Sequence, residues 1–175
     1  MTRQHSWTVR SSYLRHPVRD LEDLVARPRH YGIDLVEDEQ EAVAHVRAIP
    51  PDERLWAEGF LELSIDGTEL FGPRYWDYLH VLWHTLVQVG VDYLDAGDAE
   101  QFFPDQDIRI ALQPVRGARM VRFSVAERSV TVDRDDYLRR LAEYGEWFYG
   151  WLETATGDDS AVERAQLDQI LAATR

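Results

Sequence analysis

Apolar and polar positions follow two periods along this chain, and the longest helical stretch organises the rest. From Pro73 to Asp95, a step of about 100° per residue puts Tyr75, Trp76, Tyr78, Leu79, Leu82, Trp83, Leu86, Val87, Val89, Tyr93 and Leu94 on one half of the wheel. Asp77, His80, His84, Gln88, Asp92 and Asp95 take the other half. The spacing predicts a core helix with one wet face. Pro73 at the first helical position, Gly72 at the N-cap and a Phe71–Trp76 staple would start it.

Before that helix, residues 1–19 mix Arg with Trp7, Val9, Tyr13 and Leu14, which predicts a short strand over Ser6–Arg10 in an arm that is partly loose. Asp20 caps a short helix with Leu21, Leu24 and Val25 inward, and Asp38 with Glu41 opens a second through Val43 and Val46. Pro50-Pro51 stops it. From Glu58 the period is two, with Leu61, Leu63 and Ile65 on one side and Glu62 and Ser64 on the other, and Asp66-Gly67 signals a hairpin.

After the long helix, Gln101 to Asp107 reads as an acidic, aromatic loop, followed by a strand in which Ile108, Ile110 and Leu112 share a side. A turn at Gly117, a strand with Val121, Phe123 and Val125 inward and a short strand at Val130 and Val132 come next. Asp133 caps a second long helix that buries Tyr137, Leu138, Leu141, Tyr144, Trp147, Phe148, Trp151 and Leu152. Gly157 breaks it, and Ser160 to Glu163 has the capping-box pattern for a last helix.

These elements predict a single α+β domain over residues 1–175, an antiparallel sheet of four to six strands with two long amphipathic helices packed on one face. Residues 1–50 form the arm and short helices, 57–153 the core and 158–175 the C-terminal helix. Leu63-Ser64-Ile65 before Asp77-Tyr78-Leu79 parallels Phe123-Ser124-Val125 before Asp136-Tyr137-Leu138, the outline of a duplicated ββα unit. Clean alternation leaves the second sheet face exposed or covered by the N-terminal segments.

With 175 residues the chain is long enough for a core without staples, and it has no cysteine for a disulfide, a thiolate metal site or a thiol nucleophile. No apolar run reaches the roughly 18 residues of a membrane span, and the start has no apolar leader, so the expectation is a cytoplasmic protein. A net charge of −13 argues against nucleic acid and anionic lipid as partners. Every basic residue is Arg, yet Tyr75 to Ile108 carries seven acids and no Arg. That stretch is either a solvated face or a docking surface for a basic partner.

Candidate chemistry is sparse. Asp77, His80 and His84 lie on one helical stripe, but the residues between the histidines are Val81-Leu82-Trp83, without the acid of a zinc-protease helix. Asp105-Gln106-Asp107 suits Mg²⁺ or, equally, a polar loop bonding its own backbone. Glu58, Glu62 and Glu69 are available for acid/base work on a sheet face. No Gly-x-Ser-x-Gly elbow and no Lys for a Schiff base or phosphate loop is present. No catalytic residue, metal or cofactor is assigned.

Leu61 to Gly67 leading into Tyr75-Trp76-Asp77, and again Phe103-Pro104-Asp105-Gln106-Asp107-Ile108, resemble small bacterial proteins of the immunity type from polymorphic toxin systems. The likeness spans residues 57–153 and rests on pattern; Asp107 stands where Pro would be expected, and the first fifty residues lie outside it. The resemblance implies an acidic inhibitor that docks on a basic protein such as a toxin. The expected partner-binding residues are Asp92, Asp95, Asp98, Glu100, Phe102, Phe103, Asp105 and Asp107. The alternative is a small-molecule-binding protein or metal-dependent enzyme with its site near His80 and His84.

Overall fold

A computed structural model describes residues 5–115 and 119–174; the turn expected at Gly117 lies outside them. Strand β1 (Trp7–Leu14) is followed by α1 (Leu21–Ala26), α2 (Pro28–Tyr31), β2 (Gly32–Asp34) and α3 (Glu39–Ala48). A 3₁₀ turn at Arg54–Trp56 leads to the hairpin β3 (Glu58–Ile65) and β4 (Thr68–Phe71). A second 3₁₀ turn at Pro73–Tyr75 and the two-residue β5 (Asp77–Tyr78) precede α4 (Leu79–Ala96). Then come β6 (Ala99–Phe102), β7 (Arg109–Val115), β8 (Met120–Val125), β9 (Arg128–Asp133), α5 (Arg134–Thr156) and α6 (Ala161–Ala172).

The fold is α+β with antiparallel pairing, as the periodicity predicts, but the strands divide between two sheets. One has the order β2-β1-β3-β4 with β5 also on β3; the other is the meander β6-β7-β8-β9. Their inner faces and the apolar sides of α4 and α5 form one core, in which Leu61, Ile65, Val121, Phe123 and Val125 are wholly or almost wholly buried. Phe71 of β4 stacks on Phe123 of β8 across the seam between the sheets, with ring centroids 6.4 Å apart, and Phe123 meets Tyr137 of α5 at 5.0 Å. Hairpin followed by long helix occurs twice, as β3-β4-α4 and β8-β9-α5.

Three local expectations are corrected. The N-terminal arm is an internal strand: β1 lies between β2 and β3, running to Leu14, with Trp7 opposite Ile65 and Ser11 opposite Leu61. Its inward row is Trp7, Val9, Ser11 and Tyr13, and the buried Ser11 hydroxyl accepts the Trp83 indole N–H at 3.0 Å, so the polar break in the row is satisfied. The organising helix starts at Leu79, because Gly72 and Pro73 open a 3₁₀ turn and Trp76 is extended (φ −66°, ψ 143°). In α5, Trp147 is 42% exposed where the wheel placed it inward.

The outer face of the first sheet is partly covered, as expected, by the N-terminal helices: Leu14, Leu24 and Phe60 bury one another with Val18, Tyr31 and Trp76 at the edge. Helix α6 lies over α4 and α5. Its Ile170 and Leu167 sit where Cβ atoms on Gly90 and Gly145 would come within 2.9 and 2.7 Å, so these two glycines let the third helix approach.

Candidate docking site

The acidic stretch does not form one patch. Asp92 is half-buried and bonded within the fold, accepting from the Gln88 and Gln101 amides at 2.7 and 2.8 Å and so tying α4 to β6. Asp95 and Asp98 are exposed around the end of α4, where Gly97 (φ +86°) closes the helix. The last turn has no basic residue, so Asp95 opposes the helix dipole by about 0.3–1 kcal/mol. Glu100 is taken by Arg109 of the neighbouring strand. Asp105 sits beside the other end of α4, roughly 25 Å away by the rise of ~1.5 Å per residue. Asp107 is exposed, and like Asp95 and Asp98 it has no ion pair among the described residues.

The aromatic pair is divided as well. Residues 101–102, expected in a loop, belong to β6, and this pleat leaves Phe102 48% exposed. Phe103 is 3% exposed, stacked on Phe71 at 5.5 Å and met edge-on by Tyr75 at 6.1 Å. Phe103 is therefore a core residue and not the expected surface anchor. A ring stacked on one face and another set edge-on make its site an apolar slot that a solvated partner does not reach.

What Phe103 does instead is hold the 103–108 loop against the start of α4. There the Asp105 carboxylate accepts the Tyr78 hydroxyl at 2.9 Å, and the Asp105 N–H donates to Asp77 at 3.2 Å. The Gln106 amide donates to the Trp76 carbonyl. Pairing of β5 with β3 sets Glu58 opposite Tyr78 and Gly59 opposite Asp77. Leu21, Glu58, Arg74, Trp76, Asp77, Tyr78, Asp105 and Gln106 thus line a cleft of about 250 Å³. Beside it Trp56 packs edge-on to Tyr78 at 5.4 Å while staying 54% exposed, and Leu55 and Leu21 are 40% and 36% exposed.

The electrostatics of this cleft are unbalanced. Burial, and after it the charges of Asp105 and Asp77, raise the Glu58 carboxyl above the ordinary range. Asp77 is also raised, by burial, against which the Tyr78 and Asp105 N–H groups work. Arg74 at the rim pairs with Glu22 at 3.0 Å, and Glu58 has no ion pair among the described residues. Sequence periodicity missed Trp56 as an exposed group and Trp76 and Tyr78 as half-buried lining of a cleft. The available signal was Leu55-Trp56, two large apolar residues outside any periodic element.

A raised folded-state carboxyl contributes stability that is full below its unfolded pKa and lost as pH rises through the folded one. Glu58→Gln is accordingly expected to raise the melting temperature at pH 7, with the gain fading toward about pH 3, where the wild-type carboxyl is protonated in both states. Thermal unfolding of both proteins across that range checks it, and a difference independent of pH contradicts it.

A second cleft, on the outer face of the first sheet, is charged in both signs and internally matched. Arg10 pairs with Asp34 and Glu37 at 3.0 and 2.8 Å, and Arg15 holds Glu41 through two hydrogen bonds of 2.8 and 2.9 Å. Burial alone would raise Asp34, but N–H groups of Glu37 and Val36 and the Arg10 guanidinium hold it below the ordinary range. Glu62 on this face is raised, chiefly by burial.

The histidine stripe is built into helix packing. Asp77 is in β5 rather than on the stripe, and the His80 ring meets Tyr149 and Phe148 edge-on at 5.7 and 6.3 Å, with burial lowering its pKa. His84 Nδ1 lies 3.4 Å from Glu163 of α6. Among the described residues no group of three or more His, Asp or Glu side chains is placed to hold a metal. No helix among them is long and apolar enough to cross a membrane. Comparison with family models, curated proteins and solved structures finds no match to this chain.

Proposed function

We propose that this protein is an acidic protein-binding module that docks on a basic partner in the manner of an inhibitor or immunity protein. One observation carries the reading: at the start of α4 the carboxylates of Glu58, Asp77 and Asp105 stand beside Trp76 and Tyr78, with Trp56 next to them, and none of the three has an ion pair among the described residues. Elsewhere most arginines are consumed internally, among them Arg10, Arg15, Arg54, Arg128 and Arg164. An exposed Trp56 and a half-buried Tyr78 next to uncompensated acids match the way hot spots combine with charge complementarity at interfaces. The net charge of −13 adds long-range steering toward a cationic partner.

Affinity capture of the tagged protein from its native cells, washed at low and then high salt, tests this. The expected result is a stoichiometric basic protein released by salt. Reversing Asp105 and Asp107, both exposed in the 103–108 loop, to Arg together is expected to weaken that complex by about 100-fold, through slower association above all. The reading falls if no protein partner is recovered, or if the reversed variant binds it as tightly as the wild type.

A further inference from the structure

The aromatic cleft at the start of α4 has room for one side chain. At about 250 Å³ it lies just under the roughly 300–1,000 Å³ of small-molecule pockets. Its lining is specific in kind. Trp76 and Tyr78 give apolar faces, with Trp56 standing edge-on to Tyr78 at the mouth. Glu58, from β3, and Asp105, from the loop, bring carboxylates from two separate elements, while Arg74 is directed to Glu22.

Resting on the protein-binding reading above, we infer that this cleft receives an arginine side chain of the partner as the anchor of the complex. A guanidinium is planar and weakly hydrated, so it can lie against an aromatic face while its divergent N–H groups reach two carboxylates. A lysine ammonium is compact and strongly hydrated, and it uses neither the flat wall nor two separated acceptors as well. Charge complementarity selects a cation over an apolar anchor, because an apolar side chain would leave Glu58 desolvated without a partner. Leu55 and Leu21, exposed at the margin, then supply the apolar ring that excludes water around such an anchor.

The probe is Nα-acetyl-arginine N-methylamide, titrated into the intact protein while the tryptophan indole resonances are followed by NMR. The citrulline counterpart, which keeps the shape without the charge, and the lysine counterpart are run alongside. The expected result is a saturable shift of Trp56 and Trp76 in the millimolar range with the arginine compound, at least about tenfold weaker with the other two. Glu58→Gln with Asp105→Asn is expected to abolish it. Asp105→Asn retains the backbone N–H that Asp77 accepts, and unfolding curves establish that the variant is folded. Equal shifts with citrulline or lysine, or an unaffected response in the folded variant, overturn the inference. The two proposals fail separately. Arginine binding without any captured protein leaves the cleft and removes the partner, whereas a captured partner indifferent to the double variant leaves the module and removes the anchor.

Discussion

Phe103→Ala lowers the unfolding free energy by about 3–5 kcal/mol, whereas Phe102→Ala, one residue earlier, changes it by less than about 1 kcal/mol. The contrast comes from placement alone. Phe103 is 3% exposed and begins a row of rings that runs through Phe71 and Phe123 to Tyr137, joining loop, first sheet, second sheet and α5. Alanine there leaves a cavity lined by flat, rigid neighbours that collapse poorly, which puts the loss at the upper end for a core aromatic. Phe102 is 48% exposed and leaves little behind. Urea unfolding at equilibrium measures both. Similar losses for the two variants would contradict the placement. Partner affinity is expected to fall in each, through a lost contact at Phe102 and through loosening of the Asp105 loop at Phe103.

Gly59→Ala is expected to lower stability by at least about 3 kcal/mol, above most single overpacking substitutions. A Cβ at this position would lie 2.4 Å from the Ser12 carbonyl oxygen and 2.9 Å from Leu79 Cβ. The first of these is backbone in the neighbouring strand and the second is the first residue of α4, so neither can swing aside. Relief requires β1 and β3 to part where Tyr13 faces Gly59, with loss of ladder hydrogen bonds around them. Gly97→Ala is the matched control, since it meets no atom within 4 Å and bears only the strain of its φ of +86°, about 1–2 kcal/mol. Urea unfolding again discriminates: equal losses would mean that the close approach at Gly59 is relieved at little cost. Gly59 also pairs with Asp77, in the register that sets Glu58 opposite Tyr78 in the cleft.

Much of the architecture is legible in the sequence where a single physical signal dominates. Asp66-Gly67 takes the two positive φ values, 50° and 79°, of the predicted hairpin turn, and Asp133 caps α5 through the N–H groups of Asp135 and Asp136. The misplacements arise where two signals compete. Ser11 interrupts the apolar row of β1, and its polarity conceals an inward position that only the distant Trp83 indole makes acceptable. Gly72-Pro73 is a sound helix-start signal, yet pairing of Asp77 and Tyr78 with β3 holds this segment extended for two more residues.

The candidate site is less legible than the fold, for a related reason. Contiguity in sequence suggested that Asp98 and Asp105 share a face, whereas β6 turns back along α4 and places them toward opposite ends. The cleft draws on residues from Leu21 to Gln106, which no periodicity brings together. Phe102 and Phe103 show the limit clearly, because only the pleat of β6 determines which of two adjacent rings faces water.

The internal position of β1 also bears on how the native state is reached. The second sheet is a meander whose neighbouring strands are consecutive, so each pairing closes a short loop. In the first sheet, Trp7 must find Ile65 across an intervening segment that holds three helices, a far larger search. Until that search ends, β3 presents an open edge with Leu61, Leu63 and Ile65 uncovered, a template for pairing with another chain. Aggregation during refolding is thus a hazard concentrated in one strand, and β1 is the segment that closes it.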